Sequence, residues 1–140
     1  MHEIVALLAA DSLRASEFGF GDAERAAYLS AFETIDADPA QLVVAVEGAD
    51  GNLVGTMQLT FIPGLSRGGA TRMQIEAVRV AETERGNGLG SAMIAWAIDR
   101  ARDRGARMVQ LTSDARRADA HRFYERLGFD ASHVGFKLFL

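Results

Sequence analysis

Six residues, Arg85-Gly86-Asn87-Gly88-Leu89-Gly90, follow the stretch Val78-Arg79-Val80 by four positions and precede a long apolar helix pattern. Three glycines in five positions let the main chain approach a ligand closely. The helix after them points free N–H groups outward, and Arg85 adds a fixed positive charge. Such a segment is an anion site, and its expected ligand is a phosphate or pyrophosphate. Spacing separates the candidates. A dinucleotide fingerprint counted from Gly86 needs glycine at the third and sixth places, where this chain has Gly88 and then Ser91. A nucleoside triphosphate loop needs Gly-Lys-Ser or Gly-Lys-Thr, and the chain has neither.

Two side chains nearby in type could move protons. Glu76 stands between Ile75 and Ala77, where a carboxylate is costly if buried unpaired. It therefore has either a chemical purpose or an arginine partner such as Arg72 or Arg79. The two-residue strand period puts it on one face with Gln74 and Val78. Tyr124 sits beside Ala120, Phe123 and Leu127, the inward stripe of a helix, so its phenol is either a core hydrogen-bonding group or a proton donor. His121 falls on the outer part of that helix and reads as solvated. His133 lies in the last segment. Three histidines without ligand spacing and no cysteine predict no metal, no disulfide and no thiol nucleophile.

The elements that must hold these residues alternate between helix and strand periods. Ile4, Val5, Leu7 and Leu8 predict a first helix. Ala23, Ala26, Ala27, Tyr28, Leu29 and Phe32 mark a second, with Asp22 as N-cap and Asp38-Pro39 at its close. Residues 42–47 and 53–62 read as strands joined through Asp50-Gly51, and a third strand covers about 71–81. A helix follows over about 88–104, with Gly105 just past its end. Then come a strand at 108–112, a helix over about 117–127 stopped by Gly128, and a hairpin of two short strands. Trp96, amid Met93, Ile94 and Ala97, reads as a core or dimer-contact residue. At 140 residues the chain is expected to form one domain over 1–140. A net charge of −4 without a basic run leaves no electrostatic footprint for nucleic acid. The apolar run 4–10 is short and lacks a basic flank, so neither a leader nor a membrane segment is expected, and the reading is cytoplasmic.

The pattern Arg-x-x-Gly-x-Gly after a strand resembles the coenzyme A pyrophosphate loop of the GCN5-related N-acetyltransferase (GNAT) family. Downstream, the segment from Ala120 through Phe123-Tyr124 to Gly128-Phe129 resembles that family's A-x-x-F-Y-x-x-x-G-F run. The two motifs occur in the family's order and cover about residues 70–140. The resemblance implies an α+β fold, an α/β/α sandwich around a mixed, mostly antiparallel sheet with a splayed parallel strand pair. It also implies acetyl-coenzyme A as cosubstrate. Main-chain contacts to the cofactor then fall on Val78, Arg79 and Val80, and pyrophosphate contacts on Arg85, Gly86, Asn87, Gly88, Leu89, Gly90 and Ser91. The implied reaction is acetyl transfer to a primary amine of a small molecule, amino acid or peptide, by direct attack in a ternary complex. Tyr124 would protonate the leaving thiolate, and Glu76, His133 or water would take the amine's proton.

Two departures accompany the resemblance. The family begins with a strand before its first helix, which here is either absent or cut from the sequence. Arg117 stands where many relatives carry asparagine, so Arg116 and Arg117 either hold the nucleotide's 3′-phosphate or form a solvated helix start. Acceptor recognition is expected from residues 18–32, 63–69 and 132–136. A homodimer fits the reading; nucleic acid and membrane do not. Other readings are a non-catalytic acyl-coenzyme A binding or sensing module and, less well matched in spacing, a different nucleotide-binding protein.

Overall fold

The computed structural model describes residues 1–10, 19 and 21–140. Its chain clusters into two compact units, Met1–Gln110 and Leu111–Leu140. Strands β1 (Gln41–Glu47), β2 (Leu53–Ile62), β3 (Arg72–Val80) and β4 (Met108–Leu111) form one sheet in the order β1-β2-β3-β4. Its first two pairings are antiparallel and β3–β4 is parallel. Helices α1 (His2–Ala9) and α2 (Asp22–Asp36) precede β1, a distorted turn α3 (Ser66–Gly69) joins β2 to β3, and α4 (Leu89–Asp103) joins β3 to β4. The second unit carries α5 (Ala118–Arg126). The expected α+β sandwich with a mixed sheet is therefore present.

Side-chain alternation decides which helix covers which face. Register pairs Leu59 with Ile75 and Phe61 with Met73. These four are buried, together with Met57 and with Met93, Ile94, Ala97 and Ala101 of α4. A Cβ on Gly55 would meet Met93 Sδ at 2.8 Å, so α4 lies against this face. Arg104, just past α4, stacks its guanidinium 4.5 Å from the Phe61 ring centroid and donates to the Pro39 carbonyl at 2.9 Å. The opposite face, carrying Val43, Thr56 and Gln58, meets α1 and α2 across a cavity of about 130 Å³.

Several expectations change in detail. Of the α2 stripe, Tyr28 and Phe32 are half-buried, as is Ile35 a turn later, while Ala23, Ala26, Ala27 and Leu29 face water. Gly21, not Asp22, is the N-cap, and it has no side-chain cap. Gly105 ends α4 at φ 70, as a left-handed C′ residue should, with Ala106 N–H bonded back to Ala101 O at 2.9 Å. Trp96 is 40% exposed beneath the Arg100 guanidinium rather than in the core. The expected final hairpin is missing, because residues 129–140 carry no strand. No strand precedes β1 among the described residues.

One irregularity interrupts β3. Thr56 pairs with Arg79 and Gln58 with Glu76, so Ala77 and Val78 together oppose Met57. This is a β-bulge, and Ala77 takes φ 53, a left-handed value that costs an L-residue roughly 1–2 kcal/mol. Ala77→Gly is expected to raise stability by about 1 kcal/mol and Ala77→Val to lower it by about 2 kcal/mol. Urea unfolding midpoints check both, and equal effects would mean that Ala77 carries no strain.

Candidate functional site

The bulge sets the direction of every group after it. Ala81 donates its N–H to Val54 O at 2.8 Å, and in an antiparallel ladder bonded and non-bonded pairs alternate. Val80 opposite Gly55 is then a non-bonded pair, Arg79 opposite Thr56 a bonded one, and Val78 points its main-chain groups away from β2. On that side β4 accompanies only the first part of β3. Arg107 N–H bonds Thr71 O at 2.9 Å, Gln110 Nε2 donates to Gln74 Oε1 at 2.6 Å, and β4 stops at Leu111. The Val78 carbonyl accepts from Arg79 Nη1 at 2.6 Å. Its N–H is thus aimed away from β2, where a ligand's carbonyl could meet it.

Glu76 is displaced from its expected partner. The two-residue period puts it on one face with Val78, but the extra residue breaks the alternation, and register aligns Glu76 with Gln58 and Gln74 with Thr60. Glu76 therefore shares a face with Gln74, Arg79 and the α1–α2 side of the sheet. Its side chain is exposed, so no burial penalty demands a partner. Ala77 also reaches this side and lines the 130 Å³ cavity with Ile4, Leu8, Tyr28, Phe32 and Val43. Of this lining the sequence pointed to Tyr28, Ala31 and Phe32, within the expected segment 18–32, but not to the residues of α1, β1 and β2. Tyr28, Phe32 and Ile35, spaced i, i+4, i+7, were its only linear signal.

After β3 the chain makes a 3₁₀ turn, Glu82–Glu84, and enters the glycine loop. Arg85 is extended at φ −67 and ψ 140, and Gly86 and Gly88 are left-handed at φ 83 and 82. Gly88 is the N-cap of α4, and Ala92 N–H is the first to return to it, at 3.0 Å from Gly88 O. The amides of Leu89, Gly90 and Ser91 precede that bond and have no main-chain acceptor among the described residues. Arg85 and Asn87 are exposed. The loop offers a row of N–H groups, a helix N-terminus and one guanidinium, which together suit a pyrophosphate.

In the second unit Tyr124 is half-buried, edge-on to Phe123 at 5.0 Å and to Phe129 at 5.8 Å between centroids. His121 differs from expectation: it is half-buried, with Nε2 2.9 Å from the Asp114 carbonyl, so its outward position does not leave it merely solvated. His133 is exposed, with Nδ1 2.8 Å from Ser132 Oγ. Asp114 holds Arg116 through paired bonds of 2.9 and 2.8 Å, and these raise the guanidinium's pKa above its ordinary value. Holding a phosphate would require Arg116 to leave that carboxylate. Of the expected acceptor lining, Phe18 and Phe20 lie outside the described residues.

A larger cavity of about 310 Å³ is lined by Arg67, Arg72 and Arg107. Arg72 precedes Val78 by six strand residues, roughly 20 Å, too far for a small acceptor held there to reach the Val78 amide. No helix among the described residues is long and apolar enough to cross a membrane, and none of those residues form a cluster suited to a metal.

Comparison with known proteins follows the same lines. A sequence model of the acetyltransferase (GNAT) family matches residues 7–129. The chain is 41% identical over 63 residues to an aminoalkylphosphonate N-acetyltransferase of Salmonella typhimurium, covering 45% of this chain and 41% of that protein. It is 38% identical over 81 residues to a glucosamine 6-phosphate N-acetyltransferase of Trypanosoma brucei brucei, covering 58% and 53%. The matches thus span about half of these relatives' lengths, or less. A crystal structure from Bacillus halodurans C-125, described as a transcriptional regulator, superposes with a TM-score of 0.92 at 40% identity, over 99% of this chain and 91% of that one.

The loop geometry gives a direct test. Arg85→Ala is expected to weaken coenzyme A binding about tenfold and to flatten its salt dependence, since a charge-assisted contact to phosphate is removed. Isothermal titration at two salt concentrations measures both, and an unchanged affinity would remove Arg85 from the site.

Proposed function

Because this chain belongs to the acetyltransferase (GNAT) family, we propose that it transfers an acetyl group from acetyl-coenzyme A to a primary amine by direct attack in a ternary complex. The observation that carries this reading is the bulge at Ala77. It leaves the Val78 amide directed off the sheet, a few residues before a loop built for pyrophosphate. A thioester carbonyl on the Val78 N–H would develop its negative charge against a fixed donor. In this reading Val78 and Val80 hold the cofactor's amides. Arg79 contributes through its guanidinium rather than its amide, which the ladder directs at β2. The loop 85–91 holds the pyrophosphate. With no cysteine in the chain, an acetylated thiol intermediate is unavailable, which favours direct transfer.

An alkylammonium of pKa about 10 must lose a proton before it attacks. Glu76 is exposed on the face that α1 and α2 cover, the same side as the apolar cavity. An amine seated in that cavity would present its nitrogen toward the bulge, where Glu76 or a water on it accepts the proton. The departing thiolate, of unperturbed pKa about 8.5, is best protonated as it leaves, and Tyr124 is the proposed donor. The relatives' names include phosphorylated and phosphonylated amines. No lysine, arginine or histidine lines the cavity, so an acceptor with an apolar body, a small amine or a peptide end, suits it better. A formal charge of −4 argues against a nucleic-acid partner, and a cytoplasmic site of action accords with this substrate class. The whole chain, 1–140, is taken as one acetyltransferase domain.

Titration with acetyl-coenzyme A, with ATP and NAD as controls, is expected to give micromolar binding for the first alone. No binding by folded protein would end the proposal. Binding without thiol release across an amine panel would favour a non-catalytic acyl-coenzyme A module. Tyr124→Phe is expected to lower turnover at least tenfold with cofactor affinity nearly unchanged; full turnover would exclude the acid role. Glu76→Gln is expected to shift the pH–rate profile, and an unshifted profile would leave water as the base.

A further inference from the structure

The cavity of about 310 Å³ at the start of β3 has no part in the proposed reaction. Arg67, Arg72 and Arg107 line it, and no described aspartate or glutamate does. Elsewhere Arg100, Arg102, Arg116 and Arg122 each face an aspartate. The three cavity guanidiniums have no ion pair or side-chain hydrogen bond among the described residues. That is a costly arrangement in a chain with 19 acidic residues against 15 lysines and arginines, because like charges around one cavity repel. The backbone holds them there. Arg107 N–H bonds Thr71 O at 2.9 Å, which sets the starts of β4 and β3 side by side. A Cβ on Gly64 would stand 3.6 Å from Arg72 Nη1 and 3.9 Å from Ser66 Oγ, so these two donors converge. Arg67 takes φ 55 and ψ 37, a left-handed conformation that glycine would adopt more cheaply.

We propose that this cavity is a second anion site, separate from the glycine loop, and that its ligand is a small phosphate monoester. Such a group carries nearly two negative charges at pH 7 and three acceptor oxygens, a better match to three guanidiniums and a hydroxyl than one carboxylate. Arginine's planar fork gives it paired, charge-assisted bonds. The shared anion offsets the repulsion among the three cations. A volume of about 310 Å³ stands at the low end for small-molecule cavities, which suits a phosphate with a body of a few carbons rather than a nucleotide. Ala70 and Met108 supply an apolar wall for that body. The phosphates of a coenzyme held at the glycine loop do not reach this place: from Arg72 to Val80 the strand rises roughly 26 Å, and the loop lies beyond its end. Occupancy of the cavity is therefore independent of acetyl transfer.

Isothermal titration of the full chain with glycerol 3-phosphate is expected to show one site of submillimolar Kd. The double variant Arg72→Gln with Arg107→Gln is expected to weaken that binding at least tenfold with an unchanged circular dichroism spectrum, and Arg85→Ala, in the glycine loop, to leave it unaltered. No binding by the unsubstituted chain, binding that survives in the double variant, or binding lost with Arg85→Ala overturns the proposal. Inorganic phosphate is the second probe: weaker binding than the ester supports a body seated in the cavity, and equal or tighter binding overturns the ester assignment. Arg67→Gly provides an arm that does not depend on the double variant folding. It relaxes the left-handed position, so the urea midpoint is expected to rise while affinity for glycerol 3-phosphate falls about fivefold. Undiminished affinity in Arg67→Gly overturns the three-arginine site.

Discussion

Two residues of β3, Ala77 and Val78, stand opposite the single Met57 of β2, and the packing on either side admits no other register. Before the bulge, Met73 and Ile75 face α4 and are buried to 0% and 2% exposure. After it, Val80 pairs with Gly55, against which Met93 of α4 packs. Unbroken alternation would instead carry the face of Met73 and Ile75 on to Ala77 and Arg79, sending a guanidinium toward the α4 core. Leaving such a charge uncompensated in that core costs several kcal/mol, more than the roughly 1–2 kcal/mol of a left-handed alanine. The strained residue is thus the smaller of two penalties, and the sheet settles on it. The Val78 amide, the face of Glu76 and the wall formed by Ala77 all follow from that choice.

The same economy runs through the glycine loop. Gly86 and Gly88 adopt φ values above 80, and a Cβ at either would touch nothing within 4 Å. Their role is therefore conformational, not steric: they turn the chain so that the first amides of α4 face outward. The buried stripe Met93, Ile94, Ala97 and Ala101 fixes α4 on the sheet and with it the direction of those amides. In the proposed reading, anion recognition depends mostly on backbone geometry, which core packing maintains.

That division explains what the sequence made legible. Backbone recognition leaves marks in residue type, because only glycine takes those φ values cheaply, and β-branched runs and a C′ glycine delimit the elements around it. Strand β2 and the end of α4 at Gly105 accordingly fall where the pattern puts them. The bulge was legible in principle. The apolar positions on the α4 face are 73 and 75 before it but 78 and 80 after it, a change of parity that only an inserted residue can produce. It escaped notice because bulges are sought at glycine, and alanine gave no such cue. The final hairpin failed for a different reason. Residues 133–140 have strand periodicity, but periodicity specifies a face and not a partner strand, and among the described residues no backbone–backbone hydrogen bond pairs the segment.

The proposed acceptor cavity lies at the other extreme. Its walls come from the sides of α1 and α2 and from one face of β1–β3, elements far apart in sequence whose side chains meet only after the sheet has formed. Tyr28, Phe32 and Val43 are unremarkable singly, and any of several apolar sets would fold as well. In the proposed reading the fold therefore constrains the cofactor half of the site tightly and the acceptor half loosely. A matched substrate name therefore carries less weight than the composition of this one wall. That wall is apolar around a single carboxylate-bearing strand face, and the arginines that would attract a phosphorylated amine gather roughly 20 Å away along β3.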